Sequence, residues 1–461
     1  MSGTRKEMDS MGEMDVPAGA LYGAQTARAA ENFPISGWPM GREFIGALGL
    51  IKQAAAEVNK RLGLLDGPMA DAIIAAAEEV ASGALDGQFV VDVFQTGSGT
   101  STNMNANEVI ASRASALLAS GGRVHPNDHV NMGQSSNDVI PSAMHVAAAV
   151  AICRKLKPAL RGLGDALAAK ATEFDEVVKI GRTHLMDAVP IRLGQEFAGY
   201  AAQVGASVEL LGQAVSRLSR LPIGGTAVGT GLNAPEGFGE AVCKLLAERT
   251  GVGFKVCENR FACQGARDEV VFASGVLRGV GLVLGKIASD IRLMVSGPRC
   301  GLGELAMPAR QPGSSIMPGK VNPVICESVI QVACQVVGCD AAIAAGATGG
   351  VGSILELNAA MPMMAWNLLT AIRLLANAAN VFTEKCIVGL EVDRQRCEEL
   401  VERSLAMVTA LVPEIGYDAA AEIAKAAQAE GKTIRQVCLE RGVLDEKRIG
   451  EILDARRQTG R

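Results

Sequence analysis

Apolar positions recur at helical spacing over long stretches, separated by polar, glycine-rich joints, and this alternation sets the expected architecture. From 42 to 85 two helical stretches flank Leu65-Asp66-Gly67-Pro68, a helix stop followed by a new start. Residues 88–94 (QFVVDVF) read as one short strand, 103–120 as a helix, and 121–141 as a polar loop. Five segments, about 139–173, 190–220, 262–297, 323–346 and 354–382, are long, Ala- and Leu-rich and helical. Several are apolar nearly all the way round. Such helices must be buried by one another or by other subunits. From about 390 the helices shorten and gain charge, which suggests a small third lobe.

Composition narrows the class. The chain has 461 residues, 49% of them hydrophobic, and a net charge of −5. Disorder and nucleic-acid binding are therefore not expected. Charges such as Lys286, Asp290 and Arg292 interrupt the apolar stretches, and the acidic start does not resemble a signal peptide, so no membrane partner is expected. The eleven cysteines form no Cys-x-x-Cys pair, which points to reduced core thiols in a cytoplasmic protein.

Most unusual polar residues lie in the joints. In Gly313-Ser314-Ser315-Ile316-Met317-Pro318-Gly319-Lys320 a glycine-rich loop offers backbone N–H groups, two hydroxyls and a point charge; the alternative is an ordinary loop before a helix. His184 lies in the joint 181–187. The stretch 96–103 (TGSGTSTN) opens a helix and reads as an anion site or a simple N-cap, but it lacks a P-loop lysine. His125, Asp128 and His129 could suggest a metal, yet Asn and Ser dominate that loop, so no metal is expected. His145 lies in an apolar run and reads as structural. Hydroxyls, amides, one lysine and several histidines suit a small anionic substrate, with no cofactor.

Taken together, GSSIMPGKVNP at 313–323, TGSGTSTNMNANEV at 96–109, VHPNDHVN with QSSND at 124–138, GRTHLMDAVPIRLGQEF at 181–197, GGTAVGTGLN at 224–233 and GPRCGLGEL at 297–305 closely resemble the fumarase/aspartase superfamily. Within it the chain most resembles class II, iron-independent fumarate hydratases. The resemblance implies a mainly α, three-domain subunit: 1–138 with anion-binding loops, 139–390 as the long-helix bundle carrying the catalytic loop 299–323, and 391–461 as a small helical domain. It also implies a homotetramer with a twenty-helix core, each active site shared by three subunits.

The implied reaction is the reversible, cofactor-free hydration of the dicarboxylate fumarate to L-malate, a tricarboxylic acid cycle step, through a C3 carbanion held as an aci-carboxylate. By motif match Ser314 is the base, His184 the proton donor to the leaving hydroxyl, Glu327 its carboxylate partner, and Lys320 a stabilising charge. Ser98, Thr100, Ser135, Ser136, Asn137, Thr183, Lys320 and Asn322 match the substrate-carboxylate positions. His125, Asn127 and Asp128 match a second anion site. The alternative within the family is aspartate ammonia-lyase; His184, Gly319 and His125 favour the hydratase. A silent structural homologue would be expected to lose Ser314, Lys320 or His184. Met186, Arg192, Val139-Ile140 and the 349–355 segment depart from the usual fumarase residues.

Overall fold

The computed structural model describes residues 3–118 and 121–460. The fold is mainly α, as the pattern predicts. Five two-stranded sheets are its only paired strands among the described residues. The chain divides into two compact units, one of Met1–Pro158, Glu209–Gly281 and Cys334–Ala376, the other of Ala159–Val208, Leu282–Ala333 and Asn377–Arg461.

In the first unit, the stretches expected at 42–85 are the helices Arg42–Arg61 and Gly67–Ser82, with Gly83 in the left-handed conformation ending the second. The helix expected at 103–120 is Thr100–Leu117; residues 119 and 120 lie outside the described residues. The expected strand at 88–94 is not one. Asp86–Gln88 is a 3-10 turn, and the extended residues beyond it make a single bridge, Pro39 to Asp92. Phe89, Val91 and Val93 are buried there, so the apolar alternation reflects packing without a partner strand. The loop expected through 141 ends earlier, at Ser135. That residue caps the helix Ser136–Ala151 in a capping box with Asp138. The start expected at 354 for the last long helix is also too early. Ser353–Ile354 and Leu357–Asn358 form a tight hairpin, and the helix begins at Met361.

In the second unit the antiparallel hairpin Val178–Thr183 with Met186–Arg192 carries His184 at its tip. Ile180 of this hairpin is buried in one apolar cluster with Val401, Met407, Leu411, Ile434 and Leu453 of the C-terminal helices. Burial of those side chains anchors the hairpin by its base and leaves its tip exposed.

Among the described residues three helices are long and apolar enough to cross a membrane by length and composition: Ser136–Glu173, Asp268–Met294 and Val324–Ala347. The expectation that charges interrupt every such stretch is therefore corrected. The most apolar window of the first helix is 78% buried within the chain, but those of the other two only 44% and 39%. Asp340 on Val324–Ala347 accepts from Ser274 Oγ at 2.6 Å and from Arg278 at 2.7 Å, so a charged pair accompanies that apolar surface.

Candidate active site

The 313–323 loop is held by its own backbone. Gly313 N donates to Lys320 O at 2.8 Å, Lys320 N to Met317 O at 3.3 Å, and Asn322 Nδ2 to Gly313 O at 2.7 Å. This closure brings the N–H groups of Ile316 and Met317 onto Ser314 Oγ, at 3.2 and 3.0 Å. A side-chain oxygen that accepts two fixed N–H donors is in an environment that favours its anion. Ser314 and Lys320 both line a cavity of about 440 Å³ with Arg310, Met317 and Pro318. A side chain at Gly313 would meet Lys320 O at 2.5 Å, so only glycine permits this closure.

Thr183 and His184 are exposed at the hairpin tip. His184 and Leu185 both adopt positive φ, 57° and 62°. Non-glycine residues rarely do so, and the turn thrusts the imidazole outward. Glu327 lies in the first turn of Val324–Ala347. Within the chain His184 and Glu327 share no hydrogen bond or ion pair among the described residues.

The hairpin is tied down by charges that the sequence reading did not single out. Arg182 Nη1 donates to Glu304 Oε1 at 2.8 Å, and Lys179 Nζ lies 3.0 Å from Glu196 and 3.3 Å from Glu304. Lys179 and Glu304 are buried. Three of the four, Arg182, Glu196 and Glu304, sit in the segments quoted above, at 181–197 and 297–305, but no spacing rule reveals the pairing. Arg192, one of the departures, bonds Asp175 at 2.9 Å and the Thr459 hydroxyl at 3.2 Å, a structural role at the hairpin base.

The first unit gathers the hydroxyls. Ser98 Oγ lies 2.8 Å from Thr100 Oγ1, which lies 2.8 Å from Ser136 Oγ. Ser135 Oγ accepts from Asn137 N, and Asn137 Nδ2 donates to Ala227 O at 2.8 Å. Behind them, Asp138 accepts from Ser135 N, Gly224 N and Thr226 N. Complete burial nevertheless pushes its carboxyl up to about 6.

The buried Lys52 ammonium donates to Asn131 Oδ1 and Gln134 Oε1, both at 2.9 Å. Burial pushes it down to about 7. Asn103 and Asn107 also donate to Asn131 Oδ1. The available signal for this network was a lysine inside an apolar helix and asparagines at 103 and 107, one helical turn apart.

His125 Nδ1 lies 3.1 Å from Asp128 Oδ2 and accepts from Asp128 N, while Asn127 is exposed in the same π-turn Pro126–Val130. No group of three or more His, Cys, Asp or Glu side chains among the described residues is placed to hold a metal ion. His145 is buried with Nδ1 2.9 Å from Arg220 O, in keeping with a structural role.

Residues 12–338 match a family model described as lyase, and 407–460 match the fumarase C C-terminus. The chain is 56% identical over 460 residues to a class II fumarate hydratase of Halobacterium salinarum, covering 99% of this chain and 97% of that one. It is 55% identical over 454 residues to the enzyme of that name from Mycobacterium tuberculosis, covering 98% and 94%. A crystal structure of recombinant class II fumarase from Schistosoma mansoni superposes with a TM-score of 0.95 at 40% identity, covering 99% of both chains. On its motifs, its fold and this full-length similarity, the chain belongs to the lyase family of the class II fumarate hydratases.

Proposed function

We propose that this protein catalyses the reversible hydration of fumarate to L-malate, with Ser314 as the base. The observation that carries the reading is the pair of N–H donors, Ile316 and Met317, on Ser314 Oγ. In the dehydration direction the Ser314 oxygen takes the C3 proton of malate. The electron pair left at C3 spreads into the neighbouring carboxylate as the aci-carboxylate. The C2 hydroxyl then receives a proton by way of His184 and departs as water, with Glu327 orienting the donor. Lys320 offsets the developing charge.

Ser98, Thr100, Ser135, Ser136, Asn137, Thr183 and Asn322 bind the two substrate carboxylates in this reading. The hydroxyl chain from Ser98 to Ser136 supports it, because those oxygens can all turn their protons toward an anion. His125, Asn127 and Asp128 form a second anion site. No cofactor takes part.

The three-domain division at 138 and 390 and the homotetramer belong to the same proposal. Its support is the apolar surface left by Asp268–Met294 and Val324–Ala347, where Leu282 is 54% and Val337 40% exposed. The exposed catalytic tips Leu185 and Ile316 call for cover as well. Other copies of the chain fit this surface better than lipid does, because Asp340, Arg278, Lys286 and Asp290 lie on the same helices. The eleven cysteines, none of them in a Cys-x-x-Cys pair, support a cytoplasmic location.

The test is to purify the protein with EDTA, supply L-malate and L-aspartate separately, and follow fumarate by ultraviolet absorbance. Fumarate from malate alone is expected. Fumarate from aspartate alone would replace the hydratase with an aspartate ammonia-lyase.

A further inference from the structure

The turn at 222–231 packs against the proposed substrate loop and holds a residue type that its backbone does not favour. Thr226 has a φ of 54°, in the left-handed region. For a β-branched residue that conformation is rare, and it persists only where the surroundings enforce it. Both sides of Thr226 are enforced. Its N–H donates to Asp138 Oδ2 at 3.0 Å, beside Gly224 N at 2.9 Å. Its carbonyl accepts from Gln264 Nε2 at 2.8 Å. Gln264 is fully buried on the short helix Arg260–Gly265, and a side chain at Gly225 would meet its Oε1 at 2.1 Å. Gly225 O closes the turn by accepting from Gly229 N and Gly231 N, both at 3.0 Å. The Thr226 hydroxyl is buried and has no hydrogen-bond partner among the described residues. The turn therefore secures the backbone of Thr226, not its hydroxyl.

The next carbonyl reaches the substrate loop. Ala227 O accepts from Asn137 Nδ2 at 2.8 Å. Flipped end for end, the Asn137 amide would set its own oxygen against Ala227 O, acceptor against acceptor. The carbonyl thus decides which way the amide faces. Nδ2 carries two hydrogens and makes no other hydrogen bond among the described residues, so one N–H remains for a carboxylate oxygen. Gln264 Nε2 also lies 3.5 Å from Asn137 O, so one side chain steadies both ends of the contact. Glycine at 226 would let the 226–227 peptide rotate, whereas a stiff β-branched residue confines it.

We propose that Thr226 is a positioning residue for substrate binding: its left-handed backbone aims the Ala227 carbonyl, which turns the Asn137 amide N–H toward a substrate carboxylate. The assignment rests on Asn137 being a carboxylate ligand, as in the fumarate hydratase reading.

The probe is succinate, a saturated dicarboxylate to which neither water nor ammonia can add, titrated by calorimetry into the full-length protein. Asn137→Ala is expected to weaken binding by about tenfold, the loss of one hydrogen bond to a charged group. Thr226→Gly is expected to weaken it by about fivefold, part of the same hydrogen bond. In the Asn137→Ala background Thr226→Gly is expected to change nothing further, because a residue that acts through Asn137 then has nothing to orient. Gln264→Leu, which removes the donor to Thr226 O, is the second variant and is expected to behave in the same non-additive way. Asn233→Gly, at an exposed left-handed position of the neighbouring loop, is expected to bind as wild type does. The same cycle is read in KM for malate. There Thr226→Gly raises KM while kcat stays within about twofold, the split of a contact made alike in ground and transition states. The backbone has its own readout. Thr226→Gly is expected to unfold at a higher urea midpoint than Thr226→Ala, the reverse of the order at an ordinary position.

Additive losses in the double variant, or undiminished binding by Thr226→Gly, overturn the positioning role. A lower midpoint for Thr226→Gly than for Thr226→Ala overturns its backbone basis. A wild type that binds succinate but makes no fumarate from malate overturns the hydratase reading, and the succinate cycle still decides Thr226. A wild type that does neither overturns both.

Discussion

Arg182 and Glu304 form a 2.8 Å hydrogen-bonded ion pair that ties the His184 hairpin to the segment leading into the Ser314 loop. Glu304 is fully buried, and its second oxygen faces Lys179 at 3.3 Å without hydrogen-bond geometry, so that contact is mainly Coulombic. Removing one partner of such a network leaves uncompensated buried charge, which costs far more than the intact pair contributes.

Glu304→Ala is therefore expected to destabilise the fold by roughly 3–5 kcal/mol, read from the shift in the denaturant midpoint. Glu304→Gln, which keeps one acceptor for Arg182, is expected to cost less. Equal losses in the two variants would mean that shape, not charge, holds the hairpin.

Ser314→Ala removes the proposed base but little packing, because the loop closes through Gly313, Lys320 and Asn322. Turnover of malate is expected to fall by about 10²–10⁴-fold with the circular dichroism spectrum unchanged. His184→Asn is expected to slow malate dehydration more than any ammonia elimination from aspartate, because hydroxide is the poorer leaving group. Near-normal turnover in the Ser314 variant would remove it from the mechanism.

Ser135 has two duties, as N-cap of Ser136–Ala151 and as a proposed carboxylate ligand. Ser135→Ala is expected to lower stability by about 1 kcal/mol through the lost cap. It should also raise KM for malate, whereas a cap alone would leave KM unchanged. Calorimetry and steady-state kinetics on the same preparation separate the two.

Lys52 gives a pH signature. Its folded value, about 7, lies below the ordinary 10.5, so between those limits the unfolded chain binds more protons than the folded one. Its contribution to stability is thus fully present above about 10.5 and is lost as pH falls to about 7. The difference between wild type and Lys52→Met, measured by urea unfolding across that window, should carry this slope. Asp138 acts in the opposite sense at lower pH: its folded value near 6 exceeds the usual 3.8, so its contribution is lost as pH rises between them. A Lys52→Met curve parallel to wild type from 7 to 10.5 would place the buried lysine's proton elsewhere.

Local chemistry determined much of this protein by itself. Apolar periodicity, breakers such as Asp66-Gly67-Pro68 and the loop motifs were enough for the long helices, the polar joints and the family, because helix propensity and turn preference act over a few residues. Where the same local pattern served two ends, only the tertiary structure decided. The alternation at 88–94 packs against the core without pairing, and the residues at 353–358 turn back as a hairpin. The Lys52 network and the Arg182–Glu304 pair were not legible either. A lysine reads alike in sequence whether buried or solvated, and desolvation, hydrogen bonding and charge pairing arise only when distant or turned segments are brought within a few ångströms.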